Sequence, residues 1–277
     1  MNIPVLYAGN RKIFCGVLLS VLSMLKYHKD PLTIYLYTMD LSEVDPRFEP
    51  FGEDQRDYLE KLCKEVNPGS AVHLVDVKSF YEKTLFHAPN QDNQYTPYSF
   101  LRLYADRVEG MPDKLVYLDT DTMLCGDVEE LYKIELGKAE FAGVRDRYGC
   151  HFFGVNYINS GVLLLNLPRI RATRVFERAL EACGKKKIFL PDQTTINRLC
   201  KKKKILPRRF NDQKEVREDT VVRHFSMTIL WFPRFPKIFT TRNIKPWQFE
   251  KVHEILQEST FDDIFALYQS KSEEIPF

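Results

Sequence analysis

Val116-Tyr117-Leu118-Asp119-Thr120-Asp121-Thr122-Met123-Leu124 is an apolar strand that runs into two carboxylates and becomes apolar again. Lys114–Leu118 reads as a short buried strand. Residues i and i+2 of an extended chain face the same side, so Asp119 and Asp121 present two carboxylates to one point. Two close anions repel unless a cation neutralises them, and oxygen ligands favour Mg²⁺, Ca²⁺ or Mn²⁺. Strand-ending aspartates also cap turns and helices, so this stretch alone leaves both readings open.

Upstream, strand and helix alternate. Ile3–Tyr7, Leu32–Tyr37 and Val72–Val77 read as strands. Gly16–Tyr27 and Gly52–Val66 read as helices, the second with Leu59, Leu62, Cys63 and Val66 on one face. Proline suits a first helical position, so Thr96-Pro97 starts a helix that runs to about Asp106. Strands separated by helices make βαβ units and a parallel sheet. Ligands of such sheets bind beyond the carboxyl ends of the strands, which puts the residues after Leu118 at the site.

The second half is less regular. Strands are expected at Phe141–Val144, Val162–Leu165 and Val221–Phe225. Helices are expected at Thr173–Cys183, with Gly184 as its cap, at Asp192–Cys200, and at Pro246–Gln257 and Asp262–Tyr268. No repeat or Gly/Ser linker divides the chain. The expectation is an α/β fold, one domain over 1–277 with a helical addition over about 246–277.

Composition narrows the function. The 40 basic and 38 acidic residues leave a net charge of +2, without the basic footprint of a nucleic-acid binder. With 44% apolar and 28% charged residues, the chain is neither a disordered tail nor a disulfide miniprotein. The early apolar run Ile13–Leu25 falls short of the ~20 residues of a membrane span. It follows a strand and ends in no small-residue cleavage site, so it reads as a buried first helix rather than a signal peptide. A cytoplasmic location is expected. Cys15, Cys63, Cys125, Cys150, Cys183 and Cys200 form no CxxC pair or metal spacing and read as reduced thiols in or near the core.

Two enzyme classes use an acidic strand end differently. Haloacid-dehalogenase-like phosphatases follow an apolar strand with Asp-x-Asp-x-Thr, in which the first aspartate becomes phosphorylated. That motif belongs near the start of its domain, with a later strand-ending acidic pair. Here several βα units precede it, and the late pair Asp262-Asp263 opens a helix. In nucleotide-sugar glycosyltransferases the two carboxylates hold a divalent ion that bridges the donor diphosphate.

Further motifs arbitrate. They are Ser99-Phe100-Leu101-Arg102, Leu118-Asp119-Thr120-Asp121, Tyr157-Ile158-Asn159-Ser160-Gly161-Val162, Leu190-Pro191-Asp192-Gln193, His224-Phe225 and Lys245-Pro246-Trp247. In this order, over roughly residues 3–250, the sequence resembles glycosyltransferase family 8. The resemblance implies a GT-A nucleotide-diphospho-sugar transferase fold, a Rossmann-like mixed sheet flanked by helices. It implies a UDP-sugar donor, Mn²⁺ (or Mg²⁺) as cofactor, and transfer with retention of configuration. It makes Asp119, Asp121 and His224 the metal ligands and gives donor contacts to Arg102, Thr120, Asn159, Gly161 and Lys245. It sets Asp192 on the donor-sugar hydroxyls and Gln193 near the anomeric carbon, while Lys245 meets the leaving phosphates. Each residue also has a plainer reading: His224 as a strand histidine, Lys245 as a loop lysine, Trp247 as a helix anchor, Asn159 and Gly161 as a turn before a strand, and Asp192 as a helix-dipole charge.

Two stretches depart from the family pattern. The first strand ends in Ala8-Gly9-Asn10-Arg11-Lys12-Ile13, without the acidic and aromatic residues that hold uracil and ribose. Ala8 and Asn10 are left to offer hydrogen bonds to the base. Between His224 and Lys245 lies Ile229-Leu230-Trp231-Phe232-Pro233-Arg234-Phe235-Pro236, an acceptor platform, a membrane-surface contact or core packing. The lysine runs Lys185–Lys187 and Lys201–Lys204, with Arg208 and Arg209, read as solvated loops. Gathered on one face over 185–209, they would suit an anionic lipid surface or a lipid-linked acceptor. The expected function is transfer of glucose or galactose from UDP-glucose or UDP-galactose to a glycan or lipid-linked acceptor, with no nucleic-acid partner. A metal-dependent phosphatase and an inactive sugar-nucleotide-binding module are the alternatives.

Overall fold

In β1 (Ile3–Ala8) the side chains alternate between two apolar cores: Ile3, Val5 and Tyr7 enter one, Leu6 and Ala8 the other. A strand covered on both faces carries such a continuous apolar run, and it belongs in the middle of a sheet. The computed structural model of the chain describes residues 1–90, 97–234 and 237–276, with backbone alone at 231–234 and 237–239. Thr96, Phe235, Pro236 and the side chains from Trp231 to Arg234 lie outside the described residues.

The remaining strands are β2 (Leu32–Thr38), β3 (Ala71–Asp76), β4 (Lys114–Leu118), β5 (Thr122–Leu124), β6 (Phe141–Arg145), β7 (Ile158–Asn166), β8 (Lys203–Leu206), β9 (Val222–His224), β10 (Thr228–Arg234) and β11 (Lys237–Arg242). The helices are α1 (Phe14–Tyr27), α2 (Glu53–Val66), α3 (Lys78–Thr84), α4 (Glu129–Tyr132), α5 (Gly149–Phe152), α6 (Leu167–Thr173), α7 (Val175–Lys185), α8 (Pro191–Leu199), α9 (Phe249–Leu256) and α10 (Asp262–Ser270). Among the described residues the main sheet has the order β3-β2-β1-β4-β7-β6-β8. Strands β1 to β4 are parallel, as the alternation of strand and helix predicts. β7 then runs antiparallel between β4 and β6, so the sheet is mixed. This reversal sets the N-terminal end of β7 beside the carboxyl end of β4, with Leu118 opposite Val162.

The two cores lie on the two faces. One joins α1 and α2 to the closing helices, through Val252, Phe261, Ile264 and Phe265. The other gathers Tyr98, Leu101, Phe176, Leu180 and Ile196. α1 buries Val17, Leu18, Leu19, Val21 and Leu22, so the early apolar run is a core helix. Lys26 pairs with Asp263 at 2.7 Å and helps hold α10 on α1. All six cysteines are free, with Cys63 and Cys183 buried.

Several sequence expectations need correction. The helix placed at Thr96–Asp106 is a 3₁₀ helix over Pro97–Tyr104, in which almost every residue is buried. Tertiary packing, rather than intrinsic preference, sets that tighter winding. The strand expected at Val162–Leu165 begins at Ile158, because buried side chains satisfy its polar end. Gly184 is no cap: α7 continues to Lys185, and an added Cβ at Gly184 would stand 3.4 Å from the Thr84 carbonyl oxygen. Lys203 and Lys204 are not loop residues but begin the edge strand β8, where lysine discourages further pairing.

Candidate active site

Asp119 follows the last residue of β4, and its backbone N–H donates to the Gly161 carbonyl at 2.7 Å, extending the β4–β7 ladder by one bond. The Thr122 N–H (3.1 Å) and hydroxyl (2.8 Å) both donate to the Asp119 carbonyl and close the turn. β5 then pairs with β9, placing Thr122 opposite His224. Phe225 N–H donates to the Asp121 carbonyl at 2.9 Å. This small ladder delivers His224 to Thr122 from far along the sequence. His224 Nε2 stands 3.2 Å from Asp121 Oδ1 and 3.9 Å from Asp119 Oδ2. Ligand atoms of Asp119, Asp121 and His224 all lie within 4.8 Å of one another.

The donor set fits a divalent cation. Asn211 Nδ2 donates to Asn159 Oδ1 at 3.0 Å, which turns Asn211 Oδ1 toward His224 Nδ1 at 3.1 Å. With Nδ1 turned to Asn211, Nε2 is the ring nitrogen directed at the two carboxylates. Oxygen and imidazole donors converging this way suit a divalent metal ion. Gly161 supplies the room: an added Cβ would lie 2.3 Å from His224 Cε1 and 2.7 Å from Asp119 Oδ2. This glycine gives room to the His224 and Asp119 side chains.

Asp119 divides its oxygens. Tyr117 donates its hydroxyl to Oδ1 at 2.6 Å and Arg102 Nη2 pairs with the same atom at 3.0 Å, leaving Oδ2 toward His224. Asp121 is buried, which by itself raises a carboxyl pKa. Lys245 and His224 outweigh that burial and hold it well below the ordinary carboxylate range.

Arg102 is 4% exposed and organises the floor. It donates to the Ser160 carbonyl at 2.5 Å, stands 3.6 Å from Asp192 Oδ2, and lies 4.3 Å over the Tyr117 ring. Burial raises the Asp192 pKa, and Arg102 opposes it. Gln193 is held at both ends of its amide: Oε1 accepts from Ser160 N–H at 2.9 Å, and Nε2 donates to Asp146 Oδ2 at 3.2 Å. Asn159 Nδ2 donates to that same Asp146 oxygen at 3.0 Å. Just before this pair, Leu190 has φ 48°, a left-handed conformation rare for a branched side chain. Such strain gathers at functional sites.

These residues line a cleft of about 430 Å³ at the carboxyl end of β4. Arg102, Asp119, Asp121, Asn159, Asp192, Gln193, His224 and Lys245 all face it. Ala8, Asn10, Thr120 and Gly161 are not among its lining residues. Asn10 spends its amide N–H on the Arg47 carbonyl at 2.9 Å, and both Ala8 and Asn10 are buried. Thr120 turns its carbonyl over α1, where an added Cβ at Gly16 would meet it at 2.4 Å and Trp247 at 2.6 Å. Trp247 is thus part of the packing.

Sequence reasoning missed Asp146, Tyr117 and Asn211. Asp146 carried the signal that Asp119 did, an acid just past an apolar strand, but without a second carboxylate to mark it. It also missed the rim, where Phe152, Phe153, Phe189 and Met227 are exposed at the cleft. The basic stretch 185–209 is not one free patch. Arg208 pairs with Asp212 and Asp219, Arg209 with Glu130, and Lys204 Nζ donates to the Glu135 carbonyl.

A mixed GT-A sheet with this acidic strand end defines the class as glycosyltransferase. The chain belongs to glycosyl transferase family 8, whose model matches residues 4–250. Among curated relatives, the lipopolysaccharide glucosyltransferase WaaO of Escherichia coli K12 is 25% identical over 89% of this chain and 79% of its own length. Among solved structures, glycosyltransferase GlyE of Streptococcus pneumoniae TIGR4 matches with TM-score 0.62 and 19% identity, covering 100% of this chain and 66% of that one. The galactosyltransferase LgtC, solved with donor and acceptor sugar analogues, matches with TM-score 0.62 and 15% identity over 97% of this chain and 96% of that one. At these identities the two structures establish the shared fold.

Proposed function

We propose that the protein is a retaining hexosyltransferase that moves glucose or galactose from a UDP-sugar to a glycan or lipid-linked acceptor, with Asp119, Asp121 and His224 holding Mn²⁺. The observation that carries this reading is the convergence of those three side chains in the cleft beyond β4. When bound, the ion supplies Lewis-acid stabilisation to the negative charge that develops on the departing diphosphate.

The protein's own groups do the rest. Lys245, paired with Asp121, brings a cation to the place where the leaving group forms. Arg102 keeps Asp119 and Asp192 in place from beneath. Asp192 and Asn159 offer acceptors and donors to the sugar hydroxyls. Gln193 presents a fixed amide, a poor nucleophile, so double displacement through it is disfavoured. The reading is therefore same-face substitution, in which the acceptor hydroxyl attacks beside the leaving UDP. A donor phosphate oxygen takes its proton. Trapping a glycosyl adduct on Asp192 or Gln193 would rule this out.

The acceptor enters over the aromatic rim, since Phe152, Phe153 and Phe189 offer faces for sugar rings. WaaO and LgtC by name act on glucose and galactose, and the relationship to a lipopolysaccharide enzyme supports an envelope glycan as acceptor. No helix among the described residues is long and apolar enough to cross a membrane. Family membership leaves the phosphatase reading without support, whereas an inactive binding module differs from an enzyme only in turnover. The test is a nucleotide-sugar panel with Mn²⁺, following UDP release and the anomeric configuration of the product. UDP release from UDP-glucose or UDP-galactose with an α-linked product is expected. Binding of UDP without turnover of any donor would favour the inactive module.

A further inference from the structure

Two chain segments, 145–148 and 211–214, form a partition with a cavity on each side. Asp146 and Tyr148 face the catalytic cleft, while Arg145 and Arg147 face a second cavity of about 380 Å³. Gln213 lines both, its Oε1 accepting from Arg147 N–H at 2.9 Å and its Nε2 donating to the Arg145 carbonyl at 3.0 Å. Asn211, which holds His224, lines the second cavity as well.

The second cavity has a net positive lining. Arg145, Arg147, Arg208, Lys214 and Arg217 line it, and Asp212 is the one acid in its wall among the described residues. Arg208 is paired with Asp212 and Asp219, and Glu215 serves both Lys214 (3.6 Å) and Arg217 (3.0 Å). Among the described residues Arg145 and Arg147 have no carboxylate partner. Arg145 donates to the Val155 carbonyl at 2.8 Å and to Asn156 Oδ1 at 3.3 Å, and Arg147 lies 5.1 Å over the Tyr148 ring. Cationic side chains gathered around one space raise the local concentration of anions. The planar forks of the arginines match phosphate oxygens.

We infer that this cavity is a subsite for a phosphate group carried by the acceptor. Gln213 lines both spaces, so a glycan lying across the cleft mouth sets a neighbouring phosphorylated sugar here. The acceptor assignment rests on the transferase reading above; phosphate binding itself does not.

The test titrates inorganic phosphate and glucose 6-phosphate into the full chain without metal, read by ³¹P line broadening. Saturable binding is expected, at least threefold tighter for glucose 6-phosphate and weakened at least tenfold in Arg147→Ala/Arg217→Ala. Glu215→Gln, a surface change that releases Lys214 and Arg217, should tighten binding at least twofold and keeps the test decisive if the double variant does not fold. Absence of saturable binding, or displacement of the phosphate by UDP, would overturn the subsite. Equal affinity for the two probes would overturn its link to the acceptor. UDP release from a UDP-sugar without acceptor reports the transferase reading alone. If that release is missing while arginine-dependent phosphate binding persists, the transferase reading fails and the phosphate site stands.

Discussion

Single atoms decide what this cleft can hold. Asp119 Oδ1 is committed to Tyr117 and Arg102, so only Oδ2 is directed at His224, and Gly161 leaves that meeting its space. Gly161→Ala should therefore push His224 and Asp119 apart. Transfer is expected to fall on the order of 100-fold, with a stability cost of about 1–3 kcal/mol in urea unfolding. Unchanged activity would remove the role given to this glycine. A second residue-scale prediction concerns Asp106, away from the cleft. Its Oδ1 is buried without a hydrogen-bond partner among the described residues, and burial pushes its carboxyl up to about 6. The folded chain then holds that proton more tightly than the unfolded chain. Stability from this group is full below the ordinary aspartate pKa, declines as pH rises through about 6, and stays reduced above it. Asp106→Asn should stabilise the protein by roughly 2 kcal/mol at pH 7 and hardly at all near pH 4. Equal effects at both pH values would contradict the buried-carboxyl account. At this scale the sequence was legible where residue type restricts chemistry, as for Asp119 and Asp121. It was silent on Asn211, whose role depends on an amide orientation that only the folded network sets.

Short elements carry the geometry. β5 and β9 have three residues each, too few to show a period of two, yet their pairing is what brings His224 to Asp121. That is why the histidine could be placed by family resemblance but not by pattern. The long apolar strands and the amphipathic α2 were readable because periodicity has room to repeat there. The Pro97–Tyr104 turn was misread because its winding follows from burial on almost every side. β9 is also fastened to the C-terminal region by Arg223, whose Nε lies 3.1 Å from Glu258 Oε2, both nearly inaccessible. Burial raises the Glu258 pKa and Arg223 opposes it. Breaking one side of a buried pair strands a charge, so Glu258→Ala should cost about 3–5 kcal/mol in denaturant unfolding. Arg223→Met/Glu258→Leu should recover most of that loss. A double variant as unstable as the single one would show that the pair acts through more than its charges.

For the whole molecule, the mixed sheet makes one edge serve two strand directions. The carboxyl end of β4 and the N-terminal end of β7 meet there, so Asp119 and the Asn159–Gly161 segment face each other without a long loop. Six weak motifs in order make the fold and family legible in the sequence. Ala8 and Asn10, proposed to meet the donor base, stand outside the cleft lining, and Asn10 gives one of its amide hydrogens to the Arg47 carbonyl. The rim and the second cavity were least legible, since exposed aromatics and basic side chains are assembled there from segments far apart in sequence. The central claim is that Asp119, Asp121 and His224 form one metal site on which donor binding depends. Calorimetric titration of Mn²⁺ into the wild-type protein and Asp121→Asn, each with UDP present, tests it most directly. The account predicts one Mn²⁺ per wild-type chain and affinity weakened on the order of 100-fold in the variant, with its circular dichroism unchanged. Equal Mn²⁺ affinity in the two proteins would contradict it.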